Sequence, residues 1–564
     1  MKQQNALKKM FSLLLALTML LSLAACGETK APEKKADDKT AQTGSEKPAE
    51  KPADNGAAEK DTAKDAPKEA PVEIQIVSSA QPDVDARIVK MVEEKYNVKF
   101  NWDWVVDNKK FNEIMGVKLS AGEMPDFVML PDSGDINKYI KQGLAAEITP
   151  EMQAKIPTYF EVVEKYDENN NMWVDAKRNG KLYGLKPISS QGAYPTVLIW
   201  RTDWLKNVGI NEIPKTLEEF EKAMYAFKEK DPDKDGQANT YGLSETAFDA
   251  VFGAFGAIPL KTLGKGRQVL FITKNEAGEL AFACTRPEMK EALAKLQQYY
   301  KDGVIDPEFV TGENTGGYWA TSHAFINGRI GVTGKVLPTH WNPPYDNEGQ
   351  GGAVYQEMLA ANPNAKFGET FDIGTAIEGP HGKSGLHKWG AVNSNIGVFT
   401  TKCVQDERKT NALLQLIEDT FTDYDFYLLL TKGIEGVHYT KNADGKLVRN
   451  STDFPKDNDL RKDGVYIFEL LQQPDFRKKA LPDYYEFIEK YNGPSYADEM
   501  YPKTESYSKN ISALERLTVE TYMSIITGEK PADYFDEYVK LFYENGGTAI
   551  EQEMNAQVKE NLGK

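Results

Sequence analysis

The sequence predicts an α/β fold with a mainly parallel sheet, because short apolar strands alternate with single amphipathic helices from Glu73 onward. Strands are predicted at residues 72–76, 98–105 and 125–132, and apolar residues recur at helical spacing in the two intervals between them. In such sheets, ligands bind beyond the carboxyl ends of the strands. Asp132, at the end of the third strand, is therefore expected to accept hydrogen bonds from a ligand, with a helix cap as the equal alternative.

The N-terminus is predicted to be a secretory signal peptide. Three lysines precede an apolar run over residues 10–23, which is short for a membrane span, and small residues follow it. Cys26, placed directly after those small residues, resembles the cysteine of the bacterial lipobox. The resemblance implies a signal peptide at residues 1–25, cleavage before Cys26 and a lipid anchor on its sulfur. An ordinary signal peptide with an incidental cysteine is the alternative.

Residues 26–72 are predicted to form a disordered, charged tether. They are almost entirely Lys, Glu, Asp, Ala, Pro, Thr and Gly, without an aromatic residue, so they cannot bury enough apolar surface to offset the entropy of ordering. A flexible chain of about 45 residues has an r.m.s. span of roughly 35 to 40 Å. The folded part is thus expected to stay near the membrane while remaining free to reorient.

The composition of the chain narrows the class of partner. The formal net charge is −17, which argues against a nucleic-acid partner, since phosphate binding rests on clustered Lys and Arg. No zinc spacing and no His-Glu-x-x-His pair occurs, so a metal hydrolase is not expected. Besides Cys26 only Cys284 and Cys403 remain, too few for a disulfide framework.

The central part of the chain begins with a predicted buried strand at 196–200 that ends in Trp200 and Arg201. Thr216 and Glu219 then have the spacing of a capping box, followed by an apolar helical stripe. Further on, residues 511–526 carry helical apolar spacing in a mostly helical C-terminal region. Asn-Gly at 179–180 is the centre of either a plain hairpin or a crossing between two lobes.

The loop that follows the capped helix resembles the first half of an EF-hand calcium loop. Asp231, Asp233 and Asp235 stand at loop positions 1, 3 and 5, and Gly236 stands at position 6. The glutamate of position 12 is absent, because that residue is Gly242. A structural Ca²⁺ is the hypothesis and a solvated turn is the alternative. The remaining ligands would be the following residues: Gln237 through its backbone carbonyl, Asn239 and Thr240.

The order of several motifs resembles the extracellular solute-binding proteins of family 1, bacterial receptors that serve ABC importers of oligosaccharides. The nearest group is that of large lipoproteins of complex-polysaccharide import, several of which carry a calcium loop where the Asp231 loop stands. The matching motifs span the folded part of the chain and are Ala-Gly-Glu-Met-Pro-Asp at 121–126, Gly-Leu-Ala-Ala-Glu-Ile-Thr at 143–149, Asn-Gly-Lys-Leu-Tyr-Gly at 179–184, Trp-Arg-Thr-Asp-Trp-Leu at 200–205, Pro-Lys-Thr-Leu at 214–217, the Asp231 loop, Phe-Ile-Asn-Gly-Arg-Ile-Gly at 325–331 and Gly-Ile-Glu-Gly-Val-His-Tyr at 433–439.

The resemblance implies a two-lobed, periplasmic-binding-protein-like α/β fold with discontinuous lobes, a hinge and a helical C-terminal region. The crossings between lobes are expected near 187–195, near 377–386 and near Thr431. This assigns 73–190 plus 387–430 to lobe I and 191–386 plus 431–564 to lobe II. The implied function is a monomeric receptor, lipid-anchored outside the cell membrane, that closes over an oligosaccharide and delivers it to the permease.

Sugar-binding proteins stack aromatic rings on pyranose faces and bond the hydroxyls with planar polar groups. The candidates, some of which must instead be core residues, are Trp200, Trp341, Asp132, Arg201, His340 and Trp389. No catalytic residue and no catalytic cofactor is expected. An extracellular glycan-active hydrolase is the alternative function, since paired carboxylates are abundant. A peptide ligand and a role in presenting ligand to a sensor kinase also remain open.

Overall fold

A computed structural model of the protein describes residues 69–77, 81–103, 110–130, 136–168, 170, 172–261, 263, 269–311, 323–344, 351–392, 395–468 and 472–563. Residues 69–564 form one compact unit. Three predictions lie outside the described residues: the signal peptide with Cys26, all of the tether up to residue 68, and Asp132. Within the described residues, no helix is both long enough and apolar enough to cross a membrane.

The strands are short and are spread along the whole folded part. They are β1 Val72–Gln75, β2 Val98–Asn101, β3 Phe127–Leu130, β4 Lys177–Arg178, β5 Lys181–Leu182, β6 Val197–Trp200, β7 Tyr241–Leu243, β8 Ile272–Lys274, β9 Leu280–Phe282, β10 Ile330–Val336, β11 Asp372–Gly374, β12 Leu386–Lys388, β13 Ile396–Phe399, β14 Tyr439–Lys441, β15 Leu447–Arg449 and β16 Ser495–Ala497.

The helices account for most of the regular structure. They are α1 Arg87–Tyr96, α2 Phe111–Ser120, α3 Ile136–Lys141, α4 Pro150–Gln153, α5 Pro157–Lys165, α6 Thr202–Asn207, α7 Leu217–Glu229, α8 Phe248–Phe255, α9 Glu288–Lys301, α10 His323–Ile326, α11 Pro338–Trp341, α12 Ala353–Ala361, α13 Thr401–Val404, α14 Glu407–Thr422, α15 Tyr424–Thr431, α16 Asp457–Lys462, α17 Pro474–Ala480, α18 Pro482–Glu489, α19 Glu505–Ile526, α20 Tyr534–Phe542 and α21 Thr548–Leu562.

The first three strands form the parallel arrangement that the strand and helix alternation predicts. β1 pairs with β2 in parallel, with Val72 opposite Val98, and Ile76 bridges Phe127 in parallel. The sheet is nevertheless mixed, because β13 returns from far along the chain and pairs with β3 in antiparallel register. The outermost described strand of this first sheet therefore comes from a separate segment of the chain.

The second sheet has the strand order β11-β6-β10-β7. β6 is central and antiparallel to both of its neighbours, whereas β10 and β7 are parallel. The prediction of a buried strand at 196–200 is confirmed, since every residue of β6 is buried. The capping box is also confirmed: the Thr216 hydroxyl accepts from the Glu219 N–H, and the Glu219 carboxylate accepts from the Thr216 N–H.

The apolar cores divide the described chain into two lobes. Side chains from residues 74–188 and 391–468 share one core, which we call the first lobe. Side chains from 197–386 and 481–554 make up two further cores, which we call the second lobe. Residues 431–468 thus pack with the first lobe, whereas the resemblance assigned them to lobe II. The reason is that Leu460, Val465 and Phe468 fill the core beside β1 and β2.

Two chain segments cross side by side between the lobes. The Ser189 N–H donates to the Ala391 carbonyl at 2.7 Å, and the Thr196 N–H donates to the His387 carbonyl at 2.8 Å. The first crossing agrees with the range expected from the resemblance, and the second lies a few residues later, at 387–391. The third falls near Leu481 rather than near Thr431, because Phe476 still packs against Tyr424 of the first lobe, whereas Tyr485 belongs to a core of the second lobe.

The Asn179–Gly180 pair is the turn of a plain hairpin within the first lobe. β4 and β5 pair in antiparallel register around it. Both residues have positive φ, 52° and 73°, which is the backbone conformation that a two-residue hairpin turn of this hand requires. The hairpin alternative holds and the crossing alternative does not.

Candidate ligand-binding cleft and metal-binding loop

A small cavity lies where the crossing segments meet both lobes, and we call it the hinge cavity. Its volume is about 30 Å³, which is room for one or two water-sized groups. Its wall combines two aromatic residues with three carboxylates. The lining residues are Tyr166, Asp167 and Glu168 of the first lobe, Trp389, Gly390, Ala391 and Val392 of the crossing segment, and Ala497, Asp498 and Met500.

Trp389 is the ligand candidate that the structure places beside this cavity. Its indole is half-buried and packs edge-on against His387, with ring centroids 4.9 Å apart. His387 is itself buried and stacks on Phe271 at 4.5 Å. Burial, with smaller effects from Lys335 and Lys261, lowers the pKa of His387 to about 3, so the imidazole is neutral. The ring of Trp389 is therefore held on a rigid, uncharged support.

The carboxylates of the hinge cavity are positioned by backbone contacts. The Asp498 Oδ1 accepts from the Ile272 N–H at 3.0 Å, and the Asp498 N–H donates to the Lys388 carbonyl at 3.3 Å. Burial raises the pKa of Asp498 to about 7. Glu168 accepts a 2.6 Å hydrogen bond from the Lys388 ammonium, which spans from the crossing segment to the first lobe.

A larger groove of about 900 Å³ separates α3 of the first lobe from the C-terminal helices α19 and α21. Its described lining is polar and charged, with Lys138 and Lys141 on one wall and Glu553 and Glu560 on the other. None of the lining residues is aromatic, so this groove has no surface on which a sugar ring would stack.

Trp200 does not face a cleft in this structure. Its side chain has no exposed surface and packs edge-on against Phe220, with ring centroids 5.6 Å apart. A Cβ atom at Gly374 would lie only 2.7 Å from the Trp200 Nε1, so the neighbouring strand closes over the indole. The prediction that Trp200 stacks on a ligand is therefore corrected: because β6 is flanked by strands on both sides and covered by α7, the ring belongs to the core.

Trp341 is likewise a core residue. Its indole is fully buried and contacts Phe325 and Phe371 edge-on, with centroids 5.4 and 5.6 Å apart. Its neighbour His340 is half-buried, and burial lowers the pKa of that imidazole to about 4. Both residues lie on the short helix α11, which packs into the second lobe. Neither residue lines the hinge cavity.

Arg201 is engaged within its own segment. Its Nε and Nη2 donate to the two carboxylate oxygens of Asp203 at 2.8 and 2.6 Å, and its guanidinium lies 4.6 Å from the Trp204 ring centroid. This bidentate pair, stacked on a buried indole, is a typical structural arrangement. The structure thus gives Arg201 a structural partner in Asp203, and Trp204 is a core residue.

The Asp231 loop at 231–240, which we call the metal loop, brings its carboxylates together as their spacing predicts. Asp231, Asp233 and Asp235 each offer an oxygen, and these oxygens lie within 4.8 Å of one another. The Oδ1 atoms of Asp231 and Asp233 are buried and accept no hydrogen bond from the described residues. Burial raises the pKa of Asp233, and the neighbouring Asp231 and Asp235 add to that shift. A cluster of converging, unsatisfied carboxylate oxygens is what a hard cation requires.

The rest of the loop supports this geometry with one exception. Gly236 has a φ of 79° and donates its N–H to the Asp231 Oδ2 at 3.0 Å. The Gln237 N–H and the Asn239 Nδ2 donate to the Asp235 carboxylate at 2.7 and 3.0 Å. The Thr240 hydroxyl is buried and donates to the Phe227 carbonyl at 2.8 Å. That hydroxyl is therefore engaged with the end of α7, and Thr240 as a metal ligand stays a prediction.

Sequence reasoning missed two features of these sites. Asn207, at the end of α6, donates to the Pro232 carbonyl at 2.7 Å and thereby holds the metal loop against the body of the lobe. Asp498 joins Asp167 at the hinge cavity although the two are 331 positions apart in the sequence. No local pattern marks either residue, because only the tertiary fold brings the partners together.

Comparisons with known proteins give the same architecture. Residues 87–366 match the family model of the bacterial extracellular solute-binding proteins. The polygalacturonan/rhamnogalacturonan-binding protein YtcQ of Bacillus subtilis (strain 168) is 26% identical over 501 residues, or 86% of this chain and 90% of that protein. Lipoprotein LipO of the same organism is 24% identical over 496 residues, or 85% and 90%.

Among solved structures, that of the alginate-binding protein AlgQ2 without calcium ion superimposes with a TM-score of 0.56 at 18% identity. The match covers 87% of this chain and 99% of AlgQ2. At this level of identity the likeness shows the fold alone, a two-lobed arrangement that agrees with the division of the cores described above.

Proposed function

The chain belongs to the bacterial extracellular solute-binding proteins, and from this we propose that it is the substrate-binding component of an ABC importer for an oligosaccharide. One observation carries the proposal. The half-buried indole of Trp389 stands at the junction of the two lobes beside a cavity lined by carboxylates. An aromatic face next to planar oxygen acceptors is the surface that binds a polyhydroxylated ring.

The relatives support a carbohydrate as the ligand class. YtcQ is named for polygalacturonan and rhamnogalacturonan, and AlgQ2 for alginate. Both names denote binding proteins for chains of sugars. A peptide ligand has no such support from these relatives.

Capture would proceed by hinge closure of the two lobes. The crossing segments are thin and pack closely: a Cβ atom at Gly192 would lie 2.3 Å from the Gly390 carbonyl oxygen. Bending is therefore concentrated in a few backbone positions. A glycan that contacts both lobes favours the closed state by as much as it binds that state better than the open one.

The proposal includes anchoring and delivery. A lipid on Cys26 would hold the receptor, as a monomer, on the outer side of the cell membrane, and the segment predicted to be a tether would let the folded part reach the permease. The name of the relative LipO, a lipoprotein, supports this part of the proposal.

We further propose that the metal loop binds a structural Ca²⁺. Asp231, Asp233 and Asp235 would hold the ion, with Gln237 and Asn239 completing the shell through their carbonyl oxygens. The buried, unpaired Oδ1 atoms of Asp231 and Asp233 are the observation that favours this. When bound, the ion would supply neutralising charge that ties the end of α7 to the start of β7.

The test is a calorimetric titration of a panel of pectic, fructan and host-type oligosaccharides. Trp389→Ala should weaken binding at least tenfold, which corresponds to about 1.4 kcal/mol. Tyr534→Ala, which removes a half-buried aromatic ring from α20 in the second lobe, serves as the matched control and should leave the affinity unchanged. The proposal fails if no member of the panel binds.

The same samples separate the receptor from the glycan-active hydrolase. Prolonged incubation of the bound oligosaccharide with the protein should release no new reducing ends. Release that scales with protein concentration would support the hydrolase instead.

A further inference from the structure

The hinge cavity is too small for a sugar ring, and this limits what part of a glycan it can take. Its volume of about 30 Å³ holds one or two water-sized groups. A pyranose stacked on Trp389 would therefore place only a projecting substituent there. On a hexose that substituent is a hydroxyl or the hydroxymethyl group of C6, and on a hexuronate the C6 position carries a carboxylate.

The charges that line the cavity are negative. Asp167, Glu168 and Asp498 belong to its wall, and none of the described lining residues is a cation. The ammonium of Lys388, a neighbour of Trp389 in the chain, binds Glu168 at 2.6 Å. Asp498 forms no ion pair with any described residue, and its Oδ1 accepts a hydrogen bond from the neutral Ile272 N–H.

Other cations of the first lobe's hinge side are committed to partners as well. Lys186 is fully buried and binds both oxygens of Asp175 at 3.0 and 3.1 Å. Lys165 binds both oxygens of Asp475 at 2.9 and 3.1 Å. A carboxylate entering the cavity would thus meet like charges, with no cation among the described lining residues to compensate them, and like charges in contact disfavour binding.

From this geometry we infer that the protein takes a neutral glycan, with Asp498 as the residue that accepts a hydroxyl group in the hinge cavity and rejects a uronate at the same position. The inference rests on the proposed function, since it specifies the ligand class of that site. It goes against the names of the relatives, which denote acidic polysaccharides for YtcQ and AlgQ2. A carboxylate oxygen accepts well from a sugar hydroxyl, whereas it has nothing to accept from another ionised carboxylate.

The test compares two trisaccharides that differ at C6 alone: trigalacturonate, and the same trisaccharide after chemical reduction of its carboxylates to hydroxymethyl groups. Titrations at pH 8, above the pKa of about 7 that burial gives Asp498, keep most of that carboxyl group ionised. We expect the reduced trisaccharide to bind at least tenfold more tightly than trigalacturonate. Asp498→Asn should narrow that ratio by improving the binding of the acidic probe.

Asp425→Asn is the matched control, because it removes one carboxylate from an exposed position at the start of α15. It should leave the ratio as in the parent chain. If Asp498→Asn does not fold, the ratio of the two trisaccharide affinities for the parent chain still tests the inference. The inference is overturned if trigalacturonate binds as tightly as the reduced trisaccharide or more tightly. It is also overturned if the reduced trisaccharide does not bind while another glycan of the panel binds. Only the absence of binding by every glycan in that panel overturns the proposed function.

Discussion

Substitution of Asp233 by Asn should make the protein more stable than the parent chain without calcium and less stable than the parent chain with calcium. In the metal loop, Asp231, Asp233 and Asp235 each offer a carboxylate oxygen, and these oxygens lie within 4.8 Å of one another. The Oδ1 atoms of Asp231 and Asp233 are buried and accept no hydrogen bond from the described residues. Two unit charges at that distance repel by roughly 3 kcal/mol at an effective dielectric constant of 20, and exposure of the loop reduces this to about 1 kcal/mol. Without an ion, Asp233→Asn relieves that repulsion and should stabilise the protein.

With calcium the order should reverse. An ion present at about 100 times its dissociation constant stabilises the parent chain by about 2.7 kcal/mol, and the variant loses most of this. Thermal unfolding followed by intrinsic fluorescence, in 1 mM CaCl₂ and in chelator, measures both arms. The parent chain should gain several degrees with calcium, and the variant should gain little and should exceed the parent chain in chelator.

A matched control is available at the Asn442–Gly445 turn, where the exposed Asp444 occupies a second Asp-Gly turn outside the metal loop. Asp444→Asn should respond to calcium as the parent chain does. If the parent chain unfolds at the same temperature with calcium and with chelator, the loop is a solvated turn and the reasoning from its unpaired oxygens is refuted.

Three further predictions concern pH, the hinge and the core. Burial raises the pKa of Asp249 to about 7, above the unfolded value of about 3.9, so its contribution to stability is fully present below about pH 4 and is lost as the pH rises to about 7. The free energy of unfolding in urea should therefore rise for Asp249→Asn, relative to the parent chain, by about 1 to 3 kcal/mol between pH 5 and pH 8. The same difference between variant and parent at both pH values would contradict this. Gly192→Ala should destabilise the protein by about 1 to 3 kcal/mol and alter glycan affinity, because its Cβ would meet the Gly390 carbonyl oxygen. The control Gly116→Ala should not destabilise the protein, since a Cβ at that position would have no atom within 4 Å. Trp200→Ala, a core substitution, should lower the free energy of unfolding in urea by about 3 to 5 kcal/mol. Trp200→Phe should fold and retain glycan affinity. A tenfold loss of affinity in folded Trp200→Phe would show that the ring contacts the ligand.

Local patterns predicted the elements of this fold well, because their causes are local. The capping box at Thr216, the hairpin turn at Asn179 and the carboxylate cluster of the metal loop each follow from residues within a few positions of one another. The same holds for β6, whose apolar β-branched run required burial.

The environment of each candidate ligand residue was harder to predict, because it depends on distant segments. Trp200 is covered by β10 and β11, which lie more than 100 positions later in the chain. The third crossing was misplaced for a similar reason: nothing near Thr431 shows that Val465 and Phe468 return to the first core. Trp389 was one of several equivalent tryptophans until the fold placed it beside Asp498.

The interleaving of the chain between its lobes has a consequence for biogenesis. β3 finds its partner β13 about 270 positions later, and the first core is not complete until Phe468 arrives. The second lobe in turn waits for α21, close to the end of the chain. During vectorial synthesis neither lobe can close early, since long-range pairing must await the missing segments. A polypeptide with this connectivity stays unfolded until nearly all of it has been synthesised. An unfolded chain can pass through a translocation channel and fold on the far side.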